Sequence, residues 1–482
     1  MGEVGGEGYR PRAGAQAVLH RATREGLAQL SDADTPLPAS LAREVRAYLR
    51  CGVLHHGFIR VRCAACGEET LVGFSCKGRG YCPSCNGKKA ALTGKHLVED
   101  VLPPAPYRQW TLSLPFRLRW LALKHPRVLD VALRVLLQRV WATQRREARR
   151  LGVPGRLHSG AVSFTQYFGS TLQPTPHLHV LCPDGLFTEA DDGAVRFVPL
   201  PPPTPSDVAR IATSLARRVT RYLEAEGLLD VDAPPEDEEE ALRAQALQQA
   251  LPFASTVAQT LAAVQPRRHH RRLAVADGFS LHADTHVHAH DRQGLERLCR
   301  YGARGPLSEA RLSRRDDGRY EYRLRKPTPR GATALVLTAG QLVRKLAALL
   351  PPPRRHLTRF HGVLGPNARL RSVVTRLGRR ESPTPAPPPC PQASPPGQLS
   401  LPAPAPPAPA VVPPRPRVDW ATLLRHTFGL DVLECPCGDR RRVLAAVTSP
   451  SVAEKSLRAL GRLPPHPPLA TGPPPPQLAL PL

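Results

Sequence analysis

The sequence lacks any long apolar run, and its acidic residues are few beside its basic ones. No segment approaches the roughly 18 consecutive apolar residues that a membrane-spanning helix needs. The first residues also lack the basic segment and apolar stretch of a secretory signal, so we expect a soluble, unexported protein without a membrane partner. The 482 residues are enough for several folded units and for the core of an enzyme.

The charge is strongly one-sided. There are 67 Lys and Arg residues against 40 Asp and Glu residues, which gives a formal charge of +27. Most of the basic residues are arginines, and a planar guanidinium binds phosphate through two parallel hydrogen bonds. A genome rich in G and C would also raise the arginine and proline content and accounts for part of the excess. The sign of the charge nevertheless favours a nucleic-acid partner.

Eleven cysteines, mostly paired at short spacing, indicate metal ligands rather than disulfides in a reducing compartment. Two pairs, Cys63-x-x-Cys66 and Cys82-x-x-Cys85, are separated by fifteen residues. This spacing is typical of two turns that present four thiolates to one tetrahedral zinc ion. We therefore predict a structural zinc site of these four cysteines in a zinc-binding domain over residues 51–95.

Other candidate ligands and basic residues lie near these pairs. Cys51 and Cys76 are possible additional zinc ligands, and Cys51 with a histidine of the pair 55–56 could complete a second site. Lys77 and Arg79 lie between the two pairs and are expected to contact DNA phosphates.

Apolar periodicity predicts an α+β fold. Helical spacing indicates a helical leader within residues 1–50 and a core helix over 127–151 with a basic end. Alternating segments indicate strands over 160–168, 177–182 and 194–200. A strand-rich unit next to a long helix is typical of α+β proteins.

Proline-rich and acidic segments divide the rest of the chain. The expected segments are a solvated insertion over 201–265 with a helix after its acidic run, a disordered proline-rich linker over 373–417, a small C-terminal unit over 418–463 and a disordered tail over 464–482. The linker is expected to be disordered because its composition buries too little apolar surface to fold. Within the C-terminal unit, Cys435 and Cys437 cannot fill a tetrahedral site alone, so a partner site, a lost site and disorder all remain open.

A His-Leu-His segment is a candidate metal site. His177 and His179 are two residues apart, so on a strand they share one face while Leu178 points to the other. Gln166 on the preceding strand offers an amide oxygen, which suits Mg²⁺ or Mn²⁺. The segment 286–290, with the sequence HVHAH, repeats the same spacing and is a rival.

Four ordered segments carry a resemblance to a known family. They are CGVLHHGFIRVRCAACGEETLVGFSCKGRGYCPSC from Cys51 to Cys85, PHLHVLCPDGLF, GFSLHADTHVHAHDRQGLERLCRYGARGPL and LTRFHGVLGPNARLR. Together they resemble the HUH transposases of rolling-circle insertion sequences and their common-region relatives, from about Tyr9 to Arg371. The resemblance implies an HUH domain over 100–372 with a central antiparallel sheet and flanking helices. It also implies a bacterial, cytoplasmic, nucleoid-associated protein.

The resemblance implies roles for particular residues. His177 and His179 would bind the catalytic divalent metal, and Tyr301 would attack DNA to give a 5′-phosphotyrosine. Classical members have a second tyrosine four residues later, where this chain has Gly305, so it resembles the single-tyrosine branch. His290 falls where the family has Ala-His before the tyrosine helix, whereas His286 and His288 match nothing in the family, and we interpret these two as surface residues.

The expected function is that of a rolling-circle transposase, which nicks and rejoins single-stranded DNA at element ends and in target DNA. A tyrosine hydroxyl is a weak nucleophile near neutral pH, so it needs a phosphate whose charge is neutralised. The basic residues expected to bind phosphate near the nucleophile are Arg292, Arg297, Arg300 and Arg304. The alternatives are a non-catalytic, zinc-dependent DNA-binding protein from a decayed element, and a plasmid replication initiator or relaxase.

Overall fold

The computed structural model describes most of the chain. The described residues are 17–31, 36–228, 235–248, 271–328, 331–378, 420–429 and 431–462. The predictions for the start of the leader, for most of the linker and for the tail lie outside them. No helix of the described part is long and apolar enough to cross a membrane.

Runs of helices and runs of strands follow one another along the described part of the chain. The helices are α1 (Val18–Ser31), α2 (Ala39–Leu49), α3 (Pro83–His96), α4 (Phe116–Lys124), α5 (Arg127–Arg150), α6 (Pro205–Ala225), α7 (Glu238–Gln248), α8 (Arg292–Gly302), α9 (Ala339–Ala348), α10 (Arg371–Val374), α11 (Trp420–Phe428) and α12 (Pro450–Ala459). The strands are β1 (Phe58–Cys63), β2 (Glu69–Gly73), β3 (Tyr107–Ser113), β4 (Arg156–His158), β5 (Gly160–Phe168), β6 (Pro174–Pro183), β7 (Gly185–Glu189), β8 (Val195–Pro199), β9 (Leu273–Ala276), β10 (Phe279–His282), β11 (His286–Val287), β12 (Leu312–Arg314), β13 (Tyr320–Arg323), β14 (Ala334–Leu337), β15 (Thr358–Gly362) and β16 (Arg441–Val447). A π-helical segment, Leu97–Val101, continues α3, and 3₁₀ turns occur at Leu54–His56 and Glu309–Arg311.

The largest sheet is antiparallel and lies at the centre of the fold. Its strand order is β15-β5-β6-β3-β10-β9, and the short β11 also pairs with β3. The pairings along this order are all antiparallel. The mixed helix and antiparallel-sheet architecture confirms the predicted α+β class.

The two faces of this sheet bury different sets of residues, because successive side chains of a strand point in opposite directions. Leu178 and Val180 of β6 lie in the main hydrophobic core with residues of α4, α5 and α6. Phe164 and Leu181 lie in a smaller core with Leu295 of α8. Helix α8 therefore covers the face opposite to α5.

The predicted core helix and strands are confirmed. The helix over 127–151 is α5, and it ends where Gly152 adopts a left-handed φ of +67°, a conformation that favours glycine. The predicted strands over 160–168, 177–182 and 194–200 are β5, β6 and β8.

The expectation of a solvated insertion is wrong for its first part. Helix α6 begins after Thr204, whose hydroxyl accepts a hydrogen bond from the backbone N–H of Asp207 in a capping box. Its apolar residues recur every three or four positions, and Leu215 and Val219 are fully buried in the main core. Residues 205–225 are thus part of the structural core.

An N-terminal hairpin and a strand of the C-terminal unit form a small sheet of order β16-β1-β2. Strand β1 pairs antiparallel with β16, from Phe58 opposite Val447 to Cys63 opposite Arg441. The helices of the leader, α1 and α2, pack in a separate core with α9. The N-terminal part of the chain is therefore packed against segments more than 300 residues away in sequence.

Candidate active site and cysteine clusters

Two histidine rings meet on strand β6. His177 and His179 lie on the face of the sheet that α8 covers, and their Nε2 atoms are 3.2 Å apart. Two nitrogens that bind one cation side by side at about 2.1 Å lie about 3.0 Å apart. The spacing of the pair therefore fits a shared metal ion.

Hydrogen bonds at the other ring nitrogens orient both rings. The Nδ1–H of His177 donates to the carbonyl oxygen of Thr175 at 2.7 Å, since a carbonyl can only accept. His179 Nδ1 lies 3.2 Å from the hydroxyl of Thr111, a residue that sequence patterns did not single out. Burial lowers the pKa of His177, and burial with the nearby His177 lowers the pKa of His179 to about 3. Both rings are therefore neutral near pH 7, which is the form that binds metals.

Gln166 lies directly opposite His177 in the pairing of β5 with β6. Its side-chain NH₂ donates to the carbonyl oxygens of Tyr301 and Gly302, both at 2.9 Å. These two acceptors determine which side of the amide carries the oxygen. That oxygen, Oε1, is buried and has no hydrogen-bond partner among the described residues. A buried oxygen without a partner is costly, so two imidazoles and this amide oxygen fit a hard divalent cation.

Tyr301 lies in the last turn of α8, beside the histidine pair. Its ring centroid is 5.6 Å from that of His179, and the residue is 37% exposed. The guanidinium of Arg304 lies 4.5 Å from the ring centroid of Tyr301 and 5.2 Å from that of Phe168. Arg304 Nη2 is also 3.5 Å from the Tyr301 hydroxyl. The exposed phenol, a guanidinium, the half-buried imidazole of His177 and the buried imidazole of His179 thus share one site.

Gly305 occupies the position where the classical branch of the resembled family has a second tyrosine. A Cβ at this position would lie 2.2 Å from Asn86 Nδ2. Asn86 is held in place because its NH₂ donates to the carbonyl oxygen of Gly80 at 2.6 Å. The backbone there has no room for a second nucleophile in this arrangement.

The predicted phosphate-binding residues lie in different surroundings. Arg79 and Arg304 line one pocket beside the C-terminal end of α8, together with Lys89 and Thr93. Arg79 also pairs with Glu44, Nε to Oε1 at 2.9 Å. Three basic side chains, Arg79, Lys89 and Arg304, therefore line this pocket.

Arg297, Arg300 and Lys77 lie outside this pocket. Arg297 is exposed, 3.9 Å from an Asp291 carboxylate oxygen, and Arg300 is 3.7 Å from one of Glu296. Lys77 is exposed on the turn before α3. They remain candidates for contacts with the DNA backbone at the rim.

Arg292 does not have the predicted role of a phosphate clamp. Its guanidinium donates to the backbone carbonyl oxygens of Val98, Leu102 and Pro103. These groups lie at the end of the π-helical segment, where carbonyls lack partners within the helix. Arg292 therefore holds the start of α8 against this segment.

Four cysteines form a first cluster, Cys51, Cys76, Cys82 and Cys85. Their sulfur atoms all lie within 4.8 Å of one another, with Cys51 to Cys82 and Cys76 to Cys85 both at 3.5 Å. Four thiolates around zinc at about 2.3 Å lie about 3.8 Å apart. Hydrogen bonds among these thiols lower the pKa of Cys51 and raise the pKa values of Cys76 and Cys82, so the sulfur geometry rather than any one thiol carries the assignment. The cluster fits a structural zinc site.

A second cluster brings together two cysteines of the zinc-binding domain and two cysteines of the C-terminal unit. It contains Cys63 and Cys66 of the β1–β2 turn with Cys435 and Cys437 of the C-terminal unit, again with all sulfur atoms within 4.8 Å. The C-terminal pair that could not fill a site alone thus has a partner pair more than 360 residues earlier.

The prediction of one zinc site from Cys63-x-x-Cys66 and Cys82-x-x-Cys85 is therefore wrong. The first pair lies at the tip of the β1–β2 hairpin, whereas Cys51 and Cys76 flank its open end. Five residue steps of a strand span about 17 Å, which is too far for one ion to bridge. Cys51 and Cys76 complete the site with the second pair, and the histidines of Leu54–His56 belong to neither cluster.

His286 and His288 of the rival histidine segment are at the surface, as we interpreted them. His286, His288 and His290 are all exposed. The rings of His286 and His288 meet edge to face with centroids 4.7 Å apart, and those of His288 and His290 are stacked with centroids 5.8 Å apart. Among the described residues they have no third acidic or cysteine ligand close enough to complete a metal site.

Two family models match the chain. The family described as "Transposase zinc-binding domain", of IS91 type, matches residues 22–114, which include the whole first cysteine cluster. The family described as "Putative transposase" matches residues 160–371, which include the histidine pair, Gln166 and Tyr301. No curated protein and no solved structure matches the chain. The chain therefore combines an IS91-type transposase zinc-binding domain with a following domain of the putative-transposase family.

Proposed function

We propose that the chain is a rolling-circle transposase that cuts and rejoins single-stranded DNA with Tyr301 as the nucleophile. The observation that carries the proposal is the buried, unpartnered Oε1 of Gln166 opposite His177, next to an exposed tyrosine. A purely structural role for Gln166 does not explain why its buried oxygen has no hydrogen-bond partner beside two neutral imidazoles. A cation bound by this oxygen and the two imidazoles, close to the phenol, explains it.

The residues of the site fit Mg²⁺ or Mn²⁺, held by His177, His179 and Gln166. Such an ion, when bound, polarises the non-bridging oxygens of a phosphate. The same Gln166 side chain binds the backbone of Tyr301, so the metal ligands and the end of the nucleophile's helix are held as one unit. The carbonyl of Thr175 fixes the tautomer of the first ring.

The chemistry at Tyr301 conserves the phosphodiester bond energy. The phenolic oxygen forms a bond to phosphorus while the bond from phosphorus to the 3′ oxygen breaks. The phenolic proton leaves to solvent, and the departing 3′ oxygen takes up a proton to become a hydroxyl. The 5′ phosphate remains on Tyr301 until a 3′ hydroxyl attacks it, which restores the phenol without ATP. Arg304, 3.5 Å from the hydroxyl, is placed to bind a phosphate oxygen during both steps.

Unpaired DNA suits this site. Arg79, Lys89 and Arg304 border a pocket beside the nucleophile and would bind the backbone of a single strand. A duplex would have to melt before its backbone reached the exposed phenol.

The test uses single-stranded oligonucleotides of the element ends, labelled at one terminus, with purified protein and Mn²⁺. A 5′-phosphotyrosine keeps the 3′-labelled part on the protein and releases a 5′-labelled fragment that a polymerase can extend. We expect Tyr301→Phe and His177→Ala to abolish the adduct and Tyr222→Phe on α6 to retain it. Binding of the oligonucleotide without any adduct in the wild-type protein would support the non-catalytic DNA-binding alternative instead.

The zinc-binding domain supports transposition over a plasmid initiator or relaxase, since the matched domain is one described from transposases. Joining of the labelled element end to a second, unlabelled target oligonucleotide would support the transposase. Transfer back to the original strand alone would favour the initiator.

A further inference from the structure

We propose that Cys63, Cys66, Cys435 and Cys437 form a second zinc site that fastens the C-terminal unit to the zinc-binding domain. The matched zinc-binding range, 22–114, contains only the first two of these ligands. The other two lie beyond residue 430, outside both matched ranges.

The geometry of the four sulfur atoms favours one ion over two disulfides. Cys63 and Cys437 are 3.5 Å apart, and Cys66 and Cys435 are 3.4 Å apart. A disulfide joins its sulfurs at about 2.05 Å, whereas a zinc tetrahedron separates them by about 3.8 Å. All four sulfur atoms also approach one another, which two independent disulfides do not require.

Both pairs are presented by tight turns. The N–H of Gly67 donates to the carbonyl of Cys63 at 3.1 Å, and the N–H of Gly438 donates to that of Cys435 at 2.9 Å. Both glycines have positive φ, +75° and +91°. The two turns therefore expose two thiols each towards the same point, although the C-terminal pair has only one residue between its cysteines.

The surrounding structure holds the two turns together. Strand β16 pairs with β1 up to Cys63 opposite Arg441. The Arg441 side chain is buried, binds Glu68 of the first turn at 2.8 Å and donates to the carbonyl of Glu434 at 2.6 Å. One cation side chain thus links the N-terminal and C-terminal turns beside the proposed ion.

The fastened unit also touches the helix of Tyr301. Helix α11 of the C-terminal unit packs against α3, and His426 Nε2 lies 3.0 Å from Glu296 Oε1 on α8. Glu296 in turn lies 3.7 Å from Arg300 of the same helix. The C-terminal unit that the second site holds in place therefore contacts α8, the helix that carries Tyr301.

The test measures zinc per chain in the full-length protein, by native mass spectrometry and elemental analysis. We expect two zinc ions in the wild-type protein and in the control Cys182→Ala, whose thiol lies in the main core outside both clusters. We expect one ion in the double variant Cys435→Ser, Cys437→Ser and one in the double variant Cys63→Ser, Cys66→Ser. Hydrogen exchange of either double variant should lose protection in β16 and α11 and keep it in β5 and β6.

Several results would overturn the proposal. One is a single zinc ion in the wild-type chain, and another is two ions in the Cys435→Ser, Cys437→Ser variant. Loss of both ions from both double variants would show that the clusters are not separate sites. Resistance of these four cysteines to alkylation under non-reducing, denaturing conditions with a chelator would identify disulfides instead.

Discussion

At the scale of single residues, Gln166 joins the two halves of the proposed site. One side of its amide binds the carbonyls of Tyr301 and Gly302, and the other side carries the buried Oε1. A side chain with both functions is difficult to replace by any residue of similar size. A leucine would fill the space but would provide neither the donors nor the ligand oxygen.

Gln166→Leu is expected to weaken Mn²⁺ binding at least tenfold, because one ligand oxygen is lost. The two unpaired carbonyls should also lower the free energy of unfolding by about 1–3 kcal/mol. Mn²⁺ titration and denaturant unfolding measure the two effects. The control Thr165→Val changes the neighbouring residue on the opposite face and should leave Mn²⁺ binding intact. Equal Mn²⁺ affinity in Gln166→Leu and the wild-type protein would exclude Gln166 as a ligand.

Gly305→Tyr is expected to destabilise the protein rather than restore a two-tyrosine site. The new Cβ would meet Asn86, which its bond to Gly80 holds in place, and such overpacking costs about 1–3 kcal/mol. Thermal unfolding should show a lower Tm, and a peptide map should show no adduct at the new position. A variant of unchanged Tm that forms adducts at both positions would refute the steric argument.

At the scale of elements, local patterns predicted some features well. The alternation in β6 correctly separated Leu178 from the two histidines, because the period of two on a strand leaves no other arrangement. Helix α5 was also predicted correctly, from the apolar residues along one face and from Gly152 after its last turn. Helix α6 was misjudged because a proline run and an acidic run flank it, although its own apolar spacing is regular.

Helix α6 gives a direct test of this correction. Leu215→Ala should lower the free energy of unfolding by about 2–5 kcal/mol, since it opens a cavity in the main core. Arg218→Ala on the exposed side of the same helix should change it by less than about 0.5 kcal/mol. Equal, small effects of the two substitutions in denaturant unfolding would mean that α6 is the solvated segment we first expected.

At the scale of the whole molecule, the sequence could not reveal which distant residues meet. The cysteine spacing indicated zinc, but the eight cysteines can be divided between two four-thiol sites in several ways. Only the length of the β1–β2 hairpin and the pairing of β1 with β16 separate the two clusters. The proximity of Tyr301 to the histidine pair likewise depends on how α8 crosses the sheet, and only a family resemblance predicted it.

The basic charge of the molecule predicts steep salt dependence of DNA binding. Each phosphate contact on a single strand contributes about −0.7 to the slope of log K against log salt concentration. Lys89→Ala should reduce the magnitude of this slope by about 0.7, because Lys89 lines the pocket near Tyr301. The control Lys326→Ala removes an exposed lysine outside this pocket and should leave the slope unchanged. Identical slopes for Lys89→Ala and the wild-type protein, from fluorescence anisotropy, would remove Lys89 from the DNA path.

The central claim is that the phenol of Tyr301 becomes covalently bound to DNA. Mass spectrometry of a trypsin-digested adduct tests it most directly, because Arg300 and Arg304 flank the tyrosine and isolate it in a peptide of four residues. We predict that this peptide carries the 5′ phosphate of the cleaved strand. A nucleotide found on any other tyrosine, with the peptide of Tyr301 unmodified, would contradict the account.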